Sequence, residues 1–126
     1  MDSTLGLVEH IVGDVAVVAV SGELDLASAP ELREVLDRHL DSATSLIVAD
    51  LGAVTFLDST ALGVLVGALK RCREVDGDLR LVITEPRILK LFTITGLHET
   101  FSISPSVDAA LRSGATGDAP SEEGPT

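Results

Sequence analysis

Asp58-Ser59-Thr60 combines two hydroxyls and a carboxylate at a point where the pattern of the chain changes. Before it lies Ile47-Val48-Ala49-Asp50-Leu51, an apolar run of strand length; after it Ala61, Leu62 and Leu65 begin a helical stripe. A short polar residue ahead of such a stripe is where an N-terminal cap belongs. The first N–H groups of a helix lack partners inside it, and the helix dipole is positive there. Ser59 is therefore expected at a helix mouth with its hydroxyl outward, where an added phosphate is tolerated. The chemistry this suggests is modification of the serine, with the domain acting as a switch.

Catalysis by the chain itself is poorly supplied. His10, His39 and His98 are scattered, without metal-ligand spacing, and Cys72 is the single cysteine. The glycines of a nucleophile elbow are missing around Ser59. No phosphate-cradling Gly-Lys-Ser/Thr loop and no dinucleotide glycine fingerprint occurs. No catalytic residue, no metal and no cofactor is expected. Cys72 falls on an apolar helical stripe and reads as a small buried hydrophobe.

Composition narrows the classes further. The 126 residues suit one domain, and 45 % are hydrophobic while only 2 % are aromatic, so the core is aliphatic. The net charge of -11 and the shortage of rings argue against nucleic acid, whose binders need positive charge and stacking aromatics. No apolar run approaches the roughly 20 residues of a membrane span. The acidic, polar start Met1-Asp2-Ser3-Thr4 does not resemble a secretory signal, so the cytoplasm is the expected compartment.

The elements that must position Asp58-Ser59-Thr60 follow in order. Strands are expected at residues 5–11 and 15–20, joined as a hairpin by Gly13-Asp14; the second is unbroken apolar, as for a strand covered on both faces. Residues 21–28 read as a loop. Ser28 is expected to cap a helix over 29–40, with Pro30 in its first turn and Glu31 three residues on. A buried strand covers 46–50. The helix from Ser59 carries Ala61, Leu65, Ala68, Cys72 and Val75 on its buried stripe and Gly63, Gly67, Lys70 and Arg71 opposite. Two glycines one turn apart, each costing about 1 kcal/mol relative to alanine, read either as close packing against the protein's own backbone or as a flat face for a partner.

Gly77 is expected to stop that helix. A strand at 79–83, a helix at 87–95 ended by Gly96, a strand at 101–103 and a helical turn or two at 106–111 complete the domain. On the third helix Ile88, Leu89, Leu91, Phe92 and Ile94 are too many for one stripe, so some are expected to be exposed. The domain spans 1–112; residues 113–126, rich in Gly, Pro, Ser and acid, are expected to form a disordered tail. Strands alternating with helices after a hairpin make this an α/β fold with parallel crossovers.

Phe56-Leu57-Asp58-Ser59-Thr60-Ala61-Leu62-Gly63-Val64-Leu65, with Gly22-Glu23-Leu24-Asp25 upstream and Leu91-Phe92-Thr93-Ile94-Thr95-Gly96-Leu97 downstream, resembles the STAS domains of bacterial anti-sigma factor antagonists. The resemblance covers about residues 5–111. It implies a mixed sheet of about five strands with three to four helices packed on it. It also implies that unphosphorylated protein binds an anti-sigma factor, itself a serine kinase, and releases a sigma factor. Phosphorylation on Ser59 then breaks the complex, and a serine phosphatase restores it. Asp25 would lie in the loop beside the acceptor and Asp58 directly before it. Thr60 takes a position often filled by a second hydroxyl and is the lesser acceptor. The expected partner surface is Asp25, Asp58, Ser59, Thr60, Gly63 and Gly67. Two other readings remain open at this point: a STAS scaffold or lipid-transport subunit that binds proteins without phosphorylation, and a nucleotide-binding domain.

Overall fold

The computed structural model describes residues 5–42 and 44–114. Five strands lie in the order β1-β2-β3-β4-β5, the order in which the chain makes them. β1 (Leu5–Val12) and β2 (Val15–Leu24) form the expected antiparallel hairpin, turned at Gly13, whose φ of 64° suits glycine. β3 (Leu46–Leu57), β4 (Asp78–Val82) and β5 (Ser102–Ser104) then add in parallel. Between them run α1 (Ala29–Leu40), α2 (Ser59–Glu74) and α3 (Pro86–Ile94), with α4 (Val107–Gly114) last. The mixed α/β sheet with four helices is the fold the sequence implied.

The sheet is covered on both sides, which is why β2 reads as continuous apolar residues. Ala16, Val18 and Val20 of β2, Ile47, Ala49 and Leu51 of β3 and Leu79 and Leu81 of β4 point toward α1, α2 and α3. There they meet Leu32 and Leu36, Leu65 and Leu69, and Ile88 and Phe92. Phe92 packs edge-on against Phe101, ring centroids 5.8 Å apart. The alternate residues Val17, Val48 and Val82 face Ala110, Val107 and Leu111 of α4. On the outer edge Glu9 of β1 accepts from Arg38 (3.3 and 3.2 Å) and pairs with His39 at 2.7 Å, tying the edge strand to α1. The Arg38 hydrogen bonds hold the Glu9 carboxyl below its ordinary pKa.

Several expectations need correcting. β2 and β3 do not stop at residues 20 and 50 but run on together to Leu24 and Leu57. Their register shifts twice, so twelve residues of β3 lie beside ten of β2. Each shift is an extra residue on β3, a bulge that breaks the two-residue alternation. Leu51, Val54 and Leu57 are consequently all buried at a spacing of three, which reads in sequence as the end of a strand.

Ser28 is not a side-chain cap. It is buried, and its hydroxyl is taken by the Glu23 carbonyl at 2.7 Å. Val75 lies past the end of α2 and is 61 % exposed, outside the buried stripe. Asp76, with φ 63°, rather than Gly77, takes the left-handed position that ends α2. Gly77 is needed for another reason: a Cβ there would lie 3.1 Å from the Ser45 carbonyl oxygen and 3.4 Å from that of Cys72. On α3, Ile88 and Phe92 are buried while Ile94 is 70 % exposed, the division the crowded stripe suggested. α4 extends to Gly114; the remainder of the expected tail lies outside the described residues.

Candidate functional site

Both bulges lie on the stretch of β3 that stays paired with β2 as far as Leu57, and that stretch delivers Asp58 at the mouth of α2. Asp58 is extended (φ -110°, ψ -177°), the backbone of an N-cap. Its Oδ1 accepts from the Ala61 N–H at 3.0 Å, closing the first turn. Its Oδ2 accepts from the Leu26 N–H at 3.1 Å, in the loop between β2 and α1. The Asp58 N–H in turn donates to the Leu24 carbonyl at 3.1 Å. One residue thus fastens the loop after β2 to the start of α2.

The loop is knotted from its own side by Asp25. Asp25 Oδ1 accepts from the N–H groups of Ala27 and Ser28, both at 3.0 Å, and the Ser28 hydroxyl lies 3.1 Å from it. The Ser28 Oγ accepts from the Asp25 N–H at 3.0 Å. Asp25 is therefore a loop-shaping carboxylate, half-buried, and not merely a solvated acid. Sequence reasoning found Asp25 by resemblance but missed Ser28 as its partner, because a serine before Pro30 looks like an ordinary cap.

Between these two carboxylates and the helix, Ser59 and Thr60 are both exposed. Among the described residues neither hydroxyl has a hydrogen-bond partner. Both oxygens of Asp58 are engaged by backbone N–H groups, so that carboxylate is not poised as a base for Ser59. Ser59 makes no hydrogen bond to His10, His39 or His98 among the described residues; His39 is held by Glu9, and His98 lies 3.7 Å from Glu99. What the arrangement can do is present a hydroxyl, on rigid backbone, to a donor brought by another protein.

The rest of the expected surface follows along α2. Gly63 is exposed, and a Cβ there would meet nothing within 4 Å; at Gly67 it would meet only the far end of Arg71, at 3.3 Å. The glycines are therefore not packed against the protein's own backbone, and the helix face is left open. Arg33, Thr60, Gly63, Val64, Gly67 and Arg71 line a cleft of about 230 Å³ between α1 and α2. Two further residues were missed: Leu26, 72 % exposed, and Phe56, 49 % exposed. Phe56 stands opposite Glu23 at the second bulge, two residues before Asp58, and Leu26 is the residue Asp58 Oδ2 holds. The three phenylalanines divide two inside and one out, a signal no period could show because the bulges hide it.

Cys72, at the far end of α2, is 1 % exposed, and burial pushes its thiol up to about 11. No group of three or more His, Cys, Asp or Glu that could hold a metal ion is found among the described residues.

Comparison with known proteins places this geometry. The model of the STAS domain matches residues 8–110. An anti-sigma-B factor antagonist of Staphylococcus aureus is 40 % identical over 87 residues, 69 % of this chain and 81 % of the relative. The protein of the same name from Bacillus subtilis is 37 % identical over 95 residues, 75 % and 86 % of the two chains. The crystal structure of an anti-sigma factor antagonist from Mycobacterium paratuberculosis superposes with a TM-score of 0.79 at 30 % identity, covering 86 % of this chain and 92 % of that one. The block with the exposed hydroxyl thus sits in a fold shared along most of its length, and the chain belongs to the STAS domain family.

Proposed function

We propose that this protein is an anti-sigma factor antagonist, without enzymatic activity of its own, whose binding is switched off by phosphorylation of Ser59. The unphosphorylated form binds an anti-sigma factor, a serine kinase, and so releases a sigma factor; a serine phosphatase resets it. The cytoplasm is where these partners meet, in keeping with the absence, among the described residues, of any helix long and apolar enough to cross a membrane. The carrying observation is the exposed Ser59 hydroxyl, free of partners among the described residues, on backbone that Asp58 fixes on both sides. Relatives that bear the antagonist name support the same reading.

The strength of the switch follows from charge. A phosphoryl group adds about -1.5 to -2 at neutral pH. At some 5 Å from a partner carboxylate and an effective dielectric of about 20, each unit of charge is worth roughly 3 kcal/mol. Every 1.4 kcal/mol is about tenfold in affinity, so one modification weakens binding about a hundredfold or more. The helix dipole meanwhile favours the phosphorylated domain by about 0.3–1 kcal/mol. The interface is lost and the fold is kept.

The partner surface on this reading is Asp25, Asp58, Ser59, Thr60, Gly63 and Gly67, with Leu26 and Phe56 as its exposed apolar shoulder. Aromatic side chains such as Phe56 are enriched at protein interfaces, which makes it the stronger anchor of the two. Incubation of the full chain with a purified anti-sigma factor kinase and ATP is expected to label one site. Ser59→Ala is expected to abolish the label; full labelling of that variant would overturn the assignment.

A further inference from the structure

The cleft between α1 and α2 gives the switch a second half. Arg71 Nη2 lies 2.7 Å from Asp37 Oδ1 and Arg33 Nε lies 3.7 Å from Asp37 Oδ2, so two guanidinium groups converge on one carboxylate. The local balance is two positive charges against one negative. Two arginines also meet one carboxylate at Asp78, but there the Arg80 side chain is only 8 % exposed, so the pair in the cleft is the more open of the two. The cleft includes Thr60, next to Ser59, and is lined along α2 by Gly63, Val64 and Gly67. Without side chains at 63 and 67, a partner's backbone can come close enough for a short side chain to reach both arginines. Both arginines remain accessible, with side chains 62 % and 36 % exposed.

We propose, on the reading that Ser59 meets a kinase partner, that this cleft receives an acidic side chain of that partner, held by Arg33 and Arg71. An acidic group placed there gives the repulsion at Ser59 its counterpart. The Arg71 head group lies over Gly67, about 12 Å along the helix axis from Ser59. Attraction by two arginines and repulsion by one phosphate therefore act on the same partner at two neighbouring points. Charge complementarity selects the occupant: Asp37 offsets only one of the two guanidinium charges, and a basic or purely apolar protrusion would leave the remaining positive charge without a counterpart.

The test is titration of the full chain against the anti-sigma factor kinase that labels Ser59, with Arg33→Glu, Arg71→Glu and Asp37→Asn variants. Arg87→Glu, on α3 and with a side chain 93 % exposed, serves as the control. Each reversal in the cleft is expected to weaken binding about tenfold or more, with a smaller loss for Arg→Lys, while the control changes nothing. Asp37→Asn releases both arginines and is expected to tighten binding a few-fold, the opposite of what a merely structural role for the ion pairs would give. Wild-type affinity in both reversals, or weaker binding by Asp37→Asn, overturns the acidic-group assignment while the antagonist reading stands. Failure of the wild-type chain to bind the kinase overturns both.

Discussion

Helix α2 carries a modifiable side chain near each end, and the two are treated in opposite ways. Ser59 opens the helix in an exposed position, with its hydroxyl unpartnered among the described residues. Cys72, three and a half turns further on, is 1 % exposed and its thiol is held protonated up to about pH 11. Sulfur is the better nucleophile, yet burial in apolar surroundings removes its thiolate and its access. Oxygen is the weaker one, yet position makes it the group a visiting enzyme can reach. Reactivity here is a matter of where the helix places an atom, not of the atom.

The contrast can be broken or sharpened by substitution. The largest effect is expected for Ser59→Asp, which mimics the added charge: partner affinity should fall about a hundredfold, with a melting curve close to wild type. Titration calorimetry with the kinase beside thermal unfolding of the variant checks both. Unchanged affinity would remove charge as the cause of switching.

Asp58→Ala comes next. It deletes the cap and the bond to the Leu26 N–H, so a loss of about 2 kcal/mol of unfolding free energy is expected, measured by urea titration. Cys72→Ser buries a hydroxyl in place of a thiol and should cost about 1–2 kcal/mol. In the wild type, alkylation of Cys72 should stay slow well beyond pH 9. Because the folded thiol titrates above its ordinary value of 9.0, its contribution to stability is complete below that pH and declines as pH climbs toward about 11. Fast alkylation at pH 8 would mean that the far end of α2 opens.

Gly63→Ala should have the smallest effect on the fold and the opposite sign. The added Cβ meets nothing within 4 Å, so the helix gains up to about 1 kcal/mol in propensity. If the open face meets a partner, affinity should drop in the same variant. A gain in both would show that this face is not contacted.

Much of this was legible in the chain. α1 begins and ends where its apolar stripe and Pro30 place it, and α2 starts at the polar junction, because capping and periodicity are local properties. The far ends of β2 and β3 were not legible. Their pairing depends on two bulges, and a bulge turns period two into period three without any local marker. Leu51, Val54 and Leu57 become one buried row only once β2 lies alongside. Ser28 misled for a related reason: its hydroxyl is claimed by Glu23, whose carbonyl comes near only in the folded loop. The exposed serine at the start of α2 was readable, since it depends on a helix start; the exposed Leu26 and Phe56 near it were not.

Asp58 has one more consequence. The amides of Leu26 and Ala61, far apart along the chain, hang on two oxygens of a single carboxyl. Neither can be freed by rotating that group without disturbing the other. In hydrogen–deuterium exchange they should report one shared opening event, so the segment ahead of α1 and the first turn of α2 breathe as a single unit.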